Sequence, residues 1–470
     1  MESTGGSAAE TFEVYVKALT EVIGHADRAA PLRDYSTGLM MPVARKSVEP
    51  LAAVTAPARV SAKHQSLLHF VGQAPWSDEA LMGQVRDWTL PRMIDRGGAI
   101  TAWIIDDTGF PKKGKHSVGV ARQYCGQLGK QDNCQVAVSL SVANEGASLP
   151  IAWRLYVPEI WLDDRERRQK AKIPDEIVFQ TKPQIAIDQI RAALAAQTPT
   201  GVVLADAGYG ADGEFRRELS DLGLVYSVGV QPTVSVWRPG EGPLPPKAWT
   251  GKGRPPKLVQ RSKDHKPLSA KALAESLPAK AWQTVTWREG TNTELASRFA
   301  AVRLRVASRD YNLPQPRAEE WFIVEWPEGD KEPLKYWLST LPETMTLPEL
   351  ITVTKMRWRI ERDYRELKQE LGLGHYEGRG WRGFHHHASL CIAAYGFLIS
   401  ERETIPPSGF AIIESREKPP IPRGSRSGKS TDTTRAAHLK QRWLGLSAQP
   451  RGLVKWIAGR LLMPLREAAG

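Results

Sequence analysis

The sequence predicts an α/β protein: a mixed-sheet catalytic core with helices on its faces, carrying a β-rich insertion and preceded by a helical N-terminal domain. Three observations lead there. Up to residue 95, apolar residues recur at helical spacing without strand alternation. From about residue 99, short apolar or alternating runs follow one another between turn residues and single helical stretches. Beyond residue 230, a Pro/Gly/Lys-rich section opens a further set of strand-like runs before helical spacing returns.

In the first domain, 1–95, helices are expected over 13–24, 64–70 and 78–92. The core, 96–230, starts with AITAWIID (99–106), an apolar run that ends in carboxylates. QVAVSLSV (135–142) alternates as a half-buried strand does, Asn144, Glu145 and Gly146 supply a turn, and LPIAWRLY (149–156) returns. Helical spacing over 182–196 leads to GVVLA (201–205), a short buried strand that ends at Asp206. An amphipathic helix over 214–222 and a strand over 225–230 follow. Three antiparallel strands, then helix, strand, helix and strand, is the order of an RNase H-like core, and open mixed sheets place their chemistry at strand ends.

The insertion, 231–345, holds the exposed basic loop RPGEGPLPPKAWTGKGRPPK (238–257) and strands near 283–287, 299–306, 321–326 and 334–339. Residues 346–403 return to the core with one helix over 348–371 and another near 386–402. The tail, 404–470, is rich in Pro, Gly, Ser and basic residues. It carries a net charge of +9 from Arg416 onward, and is expected to be partly flexible with a short helix near 453–463.

Composition narrows the partners. A length of 470 residues implies two or three domains. A net charge of +12 favours polyanions, through release of their counterions, so nucleic acid leads. Cys125, Cys134 and Cys391 are too few and too scattered for a disulfide framework or a zinc site. The start has no secretion signal, and no run reaches the roughly 18 apolar residues that span a bilayer. A cytoplasmic protein without a membrane partner is expected.

Phosphodiester chemistry by two metals needs hard oxygen ligands converging from separate elements, with the metals roughly 4 Å apart. Asp107 stands where the run 99–105 gives out, and Asp206 stands in the same kind of place after 201–205. Glu361 lies in the helix over 348–371, where Arg357, Glu361 and Lys368 at offsets of four and seven fall within roughly 40° of one face. A carboxylate flanked by two cations suits a metal ligand bordered by phosphate-binding side chains, and the cations favour its ionised form. Taken singly, each feature is more often a turn residue, a helix cap or a solvated salt-bridge face. Together they point to a metal nuclease.

Three stretches carry a resemblance: DDTGFPKKGKHSVGVARQYCGQLGK (106–130), LADAGYG (204–210) and MRWRIERDYRELKQELGLGHYEGRGWRGFHHH (356–387). They resemble bacterial insertion-sequence DDE transposases, more narrowly the insertion-sequence family numbered 701, over about residues 10–400. The resemblance implies an RNase H-like domain with a β-strand insertion at 231–345. It implies Asp107, the aspartate directly before Thr108, as first catalytic and metal-binding carboxylate, with Asp106 second choice. Asp206 and Glu361 complete the set around two Mg²⁺ or Mn²⁺ ions. The superfamily's third motif runs Tyr, Arg three on, Glu four further and Lys seven further. Arg357, Glu361 and Lys368 fit, whereas Thr354 stands at the Tyr position, which touches one supporting phosphate contact and not the metal ligand.

The function so implied is cut-and-paste transposition of an insertion sequence, by metal-dependent hydrolysis and strand transfer at terminal inverted repeats. Its partners are double-stranded DNA, as transposon ends and target, and a second copy of the chain, since cutting two ends together needs at least a dimer in a synaptic complex. A nucleoid-associated bacterial protein follows. The alternatives are a resolvase-like nuclease of the same fold, disfavoured by the large insertion and the basic extensions, and a catalytically silent DNA-binding repressor, disfavoured by the intact carboxylates.

Secondary features remain. Lys112, Lys113 and Lys115, in the loop after Asp107, are expected to contact phosphates near the metals. His385, His386 and His387 point in different directions on a helix and so suit a phosphate contact or a helix start better than zinc. Trp237, Trp282, Trp287, Trp321 and Trp326 fall in the insertion, which in related transposases helps manage a flipped base, though strand packing explains any one of them. The N-terminal helices and the basic tail are the candidates for reading the inverted repeats.

Overall fold

Helical spacing in the first hundred residues becomes five helices in the computed structural model, which describes residues 8–289 and 294–404. They are α1 (Ala8–Ile23), α2 (Ala29–Met40), α3 (Val48–Thr55), α4 (Val60–Gly72) and α5 (Asp78–Gly97). Phe12, Tyr15, Val16, Leu19 and Ile23 form the buried stripe of α1, the i, i+3, i+4 pattern of a helix with one apolar face. Ser77 caps α5 by accepting from the Ala80 amide, and Gly98, at φ +76°, ends it.

From residue 99 the chain turns to strands: β1 (Ala102–Pro111), β2 (Ala121–Cys125), β3 (Lys130–Ala143) and β4 (Ser148–Tyr156). Two short helices, α6 (Glu159–Leu162) and α7 (Arg165–Ala171), precede α8 (Lys182–Ala195). There follow β5 (Val202–Ala205), α9 (Ala207–Gly210), α10 (Gly213–Asp221) and β6 (Tyr226–Val230). The insertion contributes β7 (Ser235–Val236), β8 (Leu268–Ser269), α11 (Ala270–Ser276), β9 (Gln283–Glu289), β10 (Glu294–Leu304), β11 (Glu320–Glu325) and β12 (Lys335–Ser339). The chain then forms α12 (Leu347–Lys355), α13 (Trp358–Gln369) and α14 (Trp381–Thr404).

Among the described residues these elements make two compact units. One comprises residues 8–98, 170–173 and 363–404; the other comprises 99–169 and 174–362. In the second unit β4, β3 and β1 are antiparallel neighbours, and β1, β5 and β6 run parallel. That is the RNase H-like arrangement expected from element order. β2, which the sequence reading passed over, pairs with the start of β3.

The β-rich insertion does not stand apart from this sheet. β12 pairs antiparallel with β6, and β11, β10 and β9 continue outward, so core and insertion share one ten-stranded sheet among the described residues. Phe322, Val324, Tyr336 and Leu338 pack with Val230 of the core strand, which makes the hydrophobic layer continuous across the junction.

The helix near 386–402, expected with the catalytic core, belongs to the helical unit. As α14 it packs along α5, α2 and α4. The physical reason is its uniform burial over residues 383–400: a helix buried on every face needs neighbours on every side, and the N-terminal helices supply them. Phe12 and Tyr15 of α1 meet Phe397, and the Tyr15 hydroxyl donates to the Ala393 carbonyl at 2.9 Å. Among the described residues no helix is long and apolar enough to cross a membrane. The expectations for the tail 405–470 lie outside the described residues.

Candidate active site

The site is built on the edge where β5 stops. β1 and β5 pair in parallel register, Ala102 with Val202, Trp103 with Val203 and Ile104 with Leu204. β5 ends one residue later, whereas β1 runs on to Pro111, bonded on its other side to β3. Asp107 is therefore not at a strand end, as the apolar run suggested, because Thr108, Gly109 and Phe110 continue the ladder opposite Ala137, Val136 and Gln135. Carried two residues further, the parallel register sets Asp106, not Asp107, level with Asp206. Successive side chains of a strand point to opposite faces, so the two aspartates part company.

Asp106 accepts from Arg357 Nη1 at 2.8 Å, and Arg357 Nη2 reaches Glu361 at 2.8 Å. Burial pushes the Asp106 carboxyl up to about 7; Arg357 opposes this, while Asp206 and Asp107 add to it by repulsion. Burial alone would lower the Arg357 guanidinium, yet the charges of Asp106, Glu361 and Asp206 hold it above its ordinary value. Arg357 thus bridges Asp106 and Glu361, and Asp206 acts on Asp106 and Arg357 through its charge. Asp107 faces elsewhere, accepting from Lys182 Nζ at 2.9 Å and from the Tyr209 hydroxyl at 3.3 Å.

Local sequence explains each placement. Asp206 caps α9, its Oδ1 accepting from the Gly208 amide at 2.8 Å and the Tyr209 amide at 3.4 Å. Lys182 opens α8 behind the capping box of Thr181 and Gln184, with Pro183 in the first turn where its missing N–H costs nothing. Glu361 occupies the first turn of α13. The single helix expected over 348–371 is broken at Met356 and Arg357. Thr354 bonds Ser227 of β6, Lys355 bonds Glu325 of β11, and Arg357 bonds Asp106 of β1. Between these ties to three strands the ladder gives way to i→i+3 bonds, Met356 to Val353 and Ile360 to Arg357. Thr354, the departure from the motif, is thus a buried anchor of α12 on the sheet.

Residues 18–294 match the family described as DDE superfamily endonuclease. The chain belongs to that superfamily. The matched stretch takes in Asp106, Asp107 and Asp206 and ends before Glu361. A curated relative, the probable transposase for insertion sequence element IS701 of Microchaete diplosiphon, is 35% identical over 168 residues, which are 36% of this chain. The chain spans 40% of that relative's length.

The other residues singled out from the sequence have the following surroundings. Lys112, Lys113 and Lys115 begin five residues beyond Asp107, roughly 16 Å along an extended strand. Their loop is tied down by Asn133, whose side-chain amide donates to the carbonyls of Lys112 and Gly114. Lys368 lies in the last turn of α13, within the helical unit. The histidine triplet is buried there. His386 stacks on Trp76 and faces the carbonyls of Val71 and Trp76, and burial lowers its pKa to about 4; His387 bonds the Tyr35 hydroxyl. Of the insertion tryptophans, Trp237 is buried and donates to Asp310, and Trp282, Trp321 and Trp326 pack against Arg298 and Arg303. Trp287 covers Lys355 Nζ at 4.1 Å.

Sequence reasoning missed Lys182 and Tyr209 as neighbours of the aspartate pair. Tyr209 was visible within LADAGYG; Lys182 carried no signal, since only the packing of α8 brings it near. The glycines of that motif have a purpose of their own. A Cβ on Gly210 would lie 2.0 Å from the Gly229 carbonyl, and one on Gly229 would lie 2.8 Å from the Ala207 amide. Gly210 and Gly229 let α9 lie directly on β6, and this holds Asp206 at the sheet edge. Gly210→Ala is expected to destabilise by about 1–3 kcal/mol through overpacking and to lower the melting temperature measurably; an unchanged melting curve would show that the contact yields freely.

Proposed function

We propose that this chain is a DDE transposase that moves an insertion sequence by cutting DNA at its terminal inverted repeats and joining the freed ends to target DNA. The observation that carries the reading is the bridging of Asp106 and Glu361 by Arg357 at the sheet edge, with Asp206 following β5, the strand paired in parallel with β1, within a chain of the DDE superfamily. The donors are all carboxylate oxygens from three separate elements, which suits a hard divalent cation. Among the described residues no three His, Cys, Asp or Glu side chains are closed around a metal position; the Arg357 guanidinium holds Asp106 and Glu361 instead. Arg357 has therefore to release a carboxylate for the set to close, and a DNA phosphate is the natural new partner for a guanidinium.

In this reading Asp106, Asp206 and Glu361 hold Mg²⁺ or Mn²⁺. When bound, the cations supply activation of the attacking oxygen and charge stabilisation at the leaving oxygen. Asp206 is kept rigid by its own cap on α9. Glu361, more than half exposed, stays free to adjust on the first turn of α13. Asp107, first choice from the resemblance, serves as a positioning residue that ties the starts of α8 and α9 together through Lys182 and Tyr209. Cutting two ends in one event calls for at least two copies of the chain on DNA.

The test uses purified full-length protein, Mg²⁺ or Mn²⁺, and DNA carrying the element's ends next to a target duplex. Cleavage with a free 3′-hydroxyl, followed by joined product, is expected. Absence of cleavage with either metal, or undiminished cleavage by Glu361→Ala, would overturn the reading.

A further inference from the structure

The basic loop of the insertion is not used by the site above, and its form is specific. Residues Leu244 and Gln260 close it with a pair of backbone hydrogen bonds at 2.8 Å each, and the Val259 amide adds a bond to Leu313. From this neck the chain projects as KAWTGKGRPPK (247–257), every residue of which is exposed. The stretch carries four positive charges, on Lys247, Lys252, Arg254 and Lys257, and no acidic residue. None of the four is ion-paired with a described residue.

One bond of its own crosses the tip. The Trp249 indole N–H donates to the Gly253 carbonyl at 3.2 Å, and Gly251 and Gly253 take φ of +81° and +75°, a region that favours glycine. Nothing lies within 4 Å of where their Cβ atoms would be. Arg254 thus sits between a glycine without side-chain bulk and two prolines that keep the chain extended and low in entropy. Lys252 and Lys257 flank it on either side.

We infer that this loop inserts Arg254 into the minor groove of A/T-rich duplex DNA, with Lys252 and Lys257 on the bordering phosphates. The minor groove is only about 6 Å wide, so it admits a slim strip such as Gly-Arg-Pro and rejects a helix. A-tracts narrow it further and concentrate negative potential, which draws arginine in preference to lysine because a guanidinium is the more weakly hydrated ion. G·C pairs add an exocyclic amino donor on the groove floor, which repels the donor-only guanidinium. The inference rests on the proposed action on DNA only for the class of partner; it concerns a separate contact.

Binding of the full chain is measured by fluorescence anisotropy, without divalent metal, on A/T-rich and G/C-rich duplexes of equal length. Wild type is expected to favour the A/T duplex by about fivefold or more. Arg254→Ala should bring that ratio to about one. Arg254→Lys should keep G/C affinity within about twofold, because the charge is retained, yet lose the A/T preference. An unchanged melting temperature is expected for each variant, since the loop is exposed. A wild type without preference, a preference surviving in Arg254→Ala, or equal weakening on the two duplexes by Arg254→Lys would overturn the inference. Metal-dependent cleavage of end-containing DNA is scored separately, so a wild type that cleaves but shows no A/T preference, or a preference that survives in Arg254→Ala, condemns this contact and leaves the proposed function standing.

Discussion

Replacing Asp206 with asparagine should reduce single-turnover DNA cleavage about a thousandfold or more, and Asp106→Asn and Glu361→Gln should each do likewise. The magnitude follows from the several kcal/mol of charge stabilisation at stake when one carboxylate of a metal-binding set is neutralised. The amides are the informative variants because they preserve shape. Asparagine at 206 can still accept from the Gly208 and Tyr209 amides, so α9 stays capped and loss of activity is not loss of fold. Asp107→Asn keeps acceptors for Lys182 and Tyr209 and should cost only about tenfold, as misplacement rather than loss of a ligand. Rates of strand cleavage on end-containing DNA decide between the neighbours. Abolished activity in Asp107→Asn alongside an active Asp106→Asn would return the first ligand position to Asp107.

Arg357→Ala should lower cleavage at pH 7 by about a hundredfold and move the acid limb of the pH–rate profile upward. Asp106 titrates near 7 in the metal-free protein because burial raises it and Arg357 restrains the rise. Removing the guanidinium removes the restraint, so the carboxyl holds its proton to higher pH and activity recovers only as pH rises. The sign for stability is the reverse of an ordinary paired carboxylate. A folded pKa above the unfolded value favours the folded state in acid, and that contribution is lost as pH rises through about 7. Metal-free wild type should therefore melt at a lower temperature at pH 8 than at pH 6 as far as this group is concerned, and Asp106→Asn should flatten the difference. Because Asp106 can take up a proton, Arg357→Ala should cost less than the 3–5 kcal/mol typical of a broken buried pair. Profiles from pH 6 to 9 that superimpose for wild type and variant would exclude a link between the two groups.

Much of the core was legible. The main strands and helices from 99 to 230 followed from local periodicity, because burial on one face or on two leaves its pattern in the residues themselves, whereas β2 and the short helices α6, α7 and α9 did not. The same logic located Asp206, whose short apolar strand could end nowhere else. It could not separate Asp106 from Asp107. Ile104 and Ile105 are both buried, so β1 has no polar face to set the phase, and the two aspartates looked alike. Nor could it place the strands of the insertion, whose alternation is compatible with a separate sheet or with an extension of the core.

By itself the sequence determined most of the element types, the carboxylates from which the proposed site is drawn, and the basic character that points to DNA. Those properties are carried by each residue and its near neighbours. Only the tertiary structure decided that β12 docks on β6 and that α14 joins the N-terminal helices. It also broke the last core helix at Arg357, and it brought Asp106 rather than Asp107 level with Asp206. Each of these is a pairing between segments far apart in the chain. Such pairings are selected by the register of backbone hydrogen bonds and by which buried faces fit together, and neither is written in the spacing of residues along one strand or one helix.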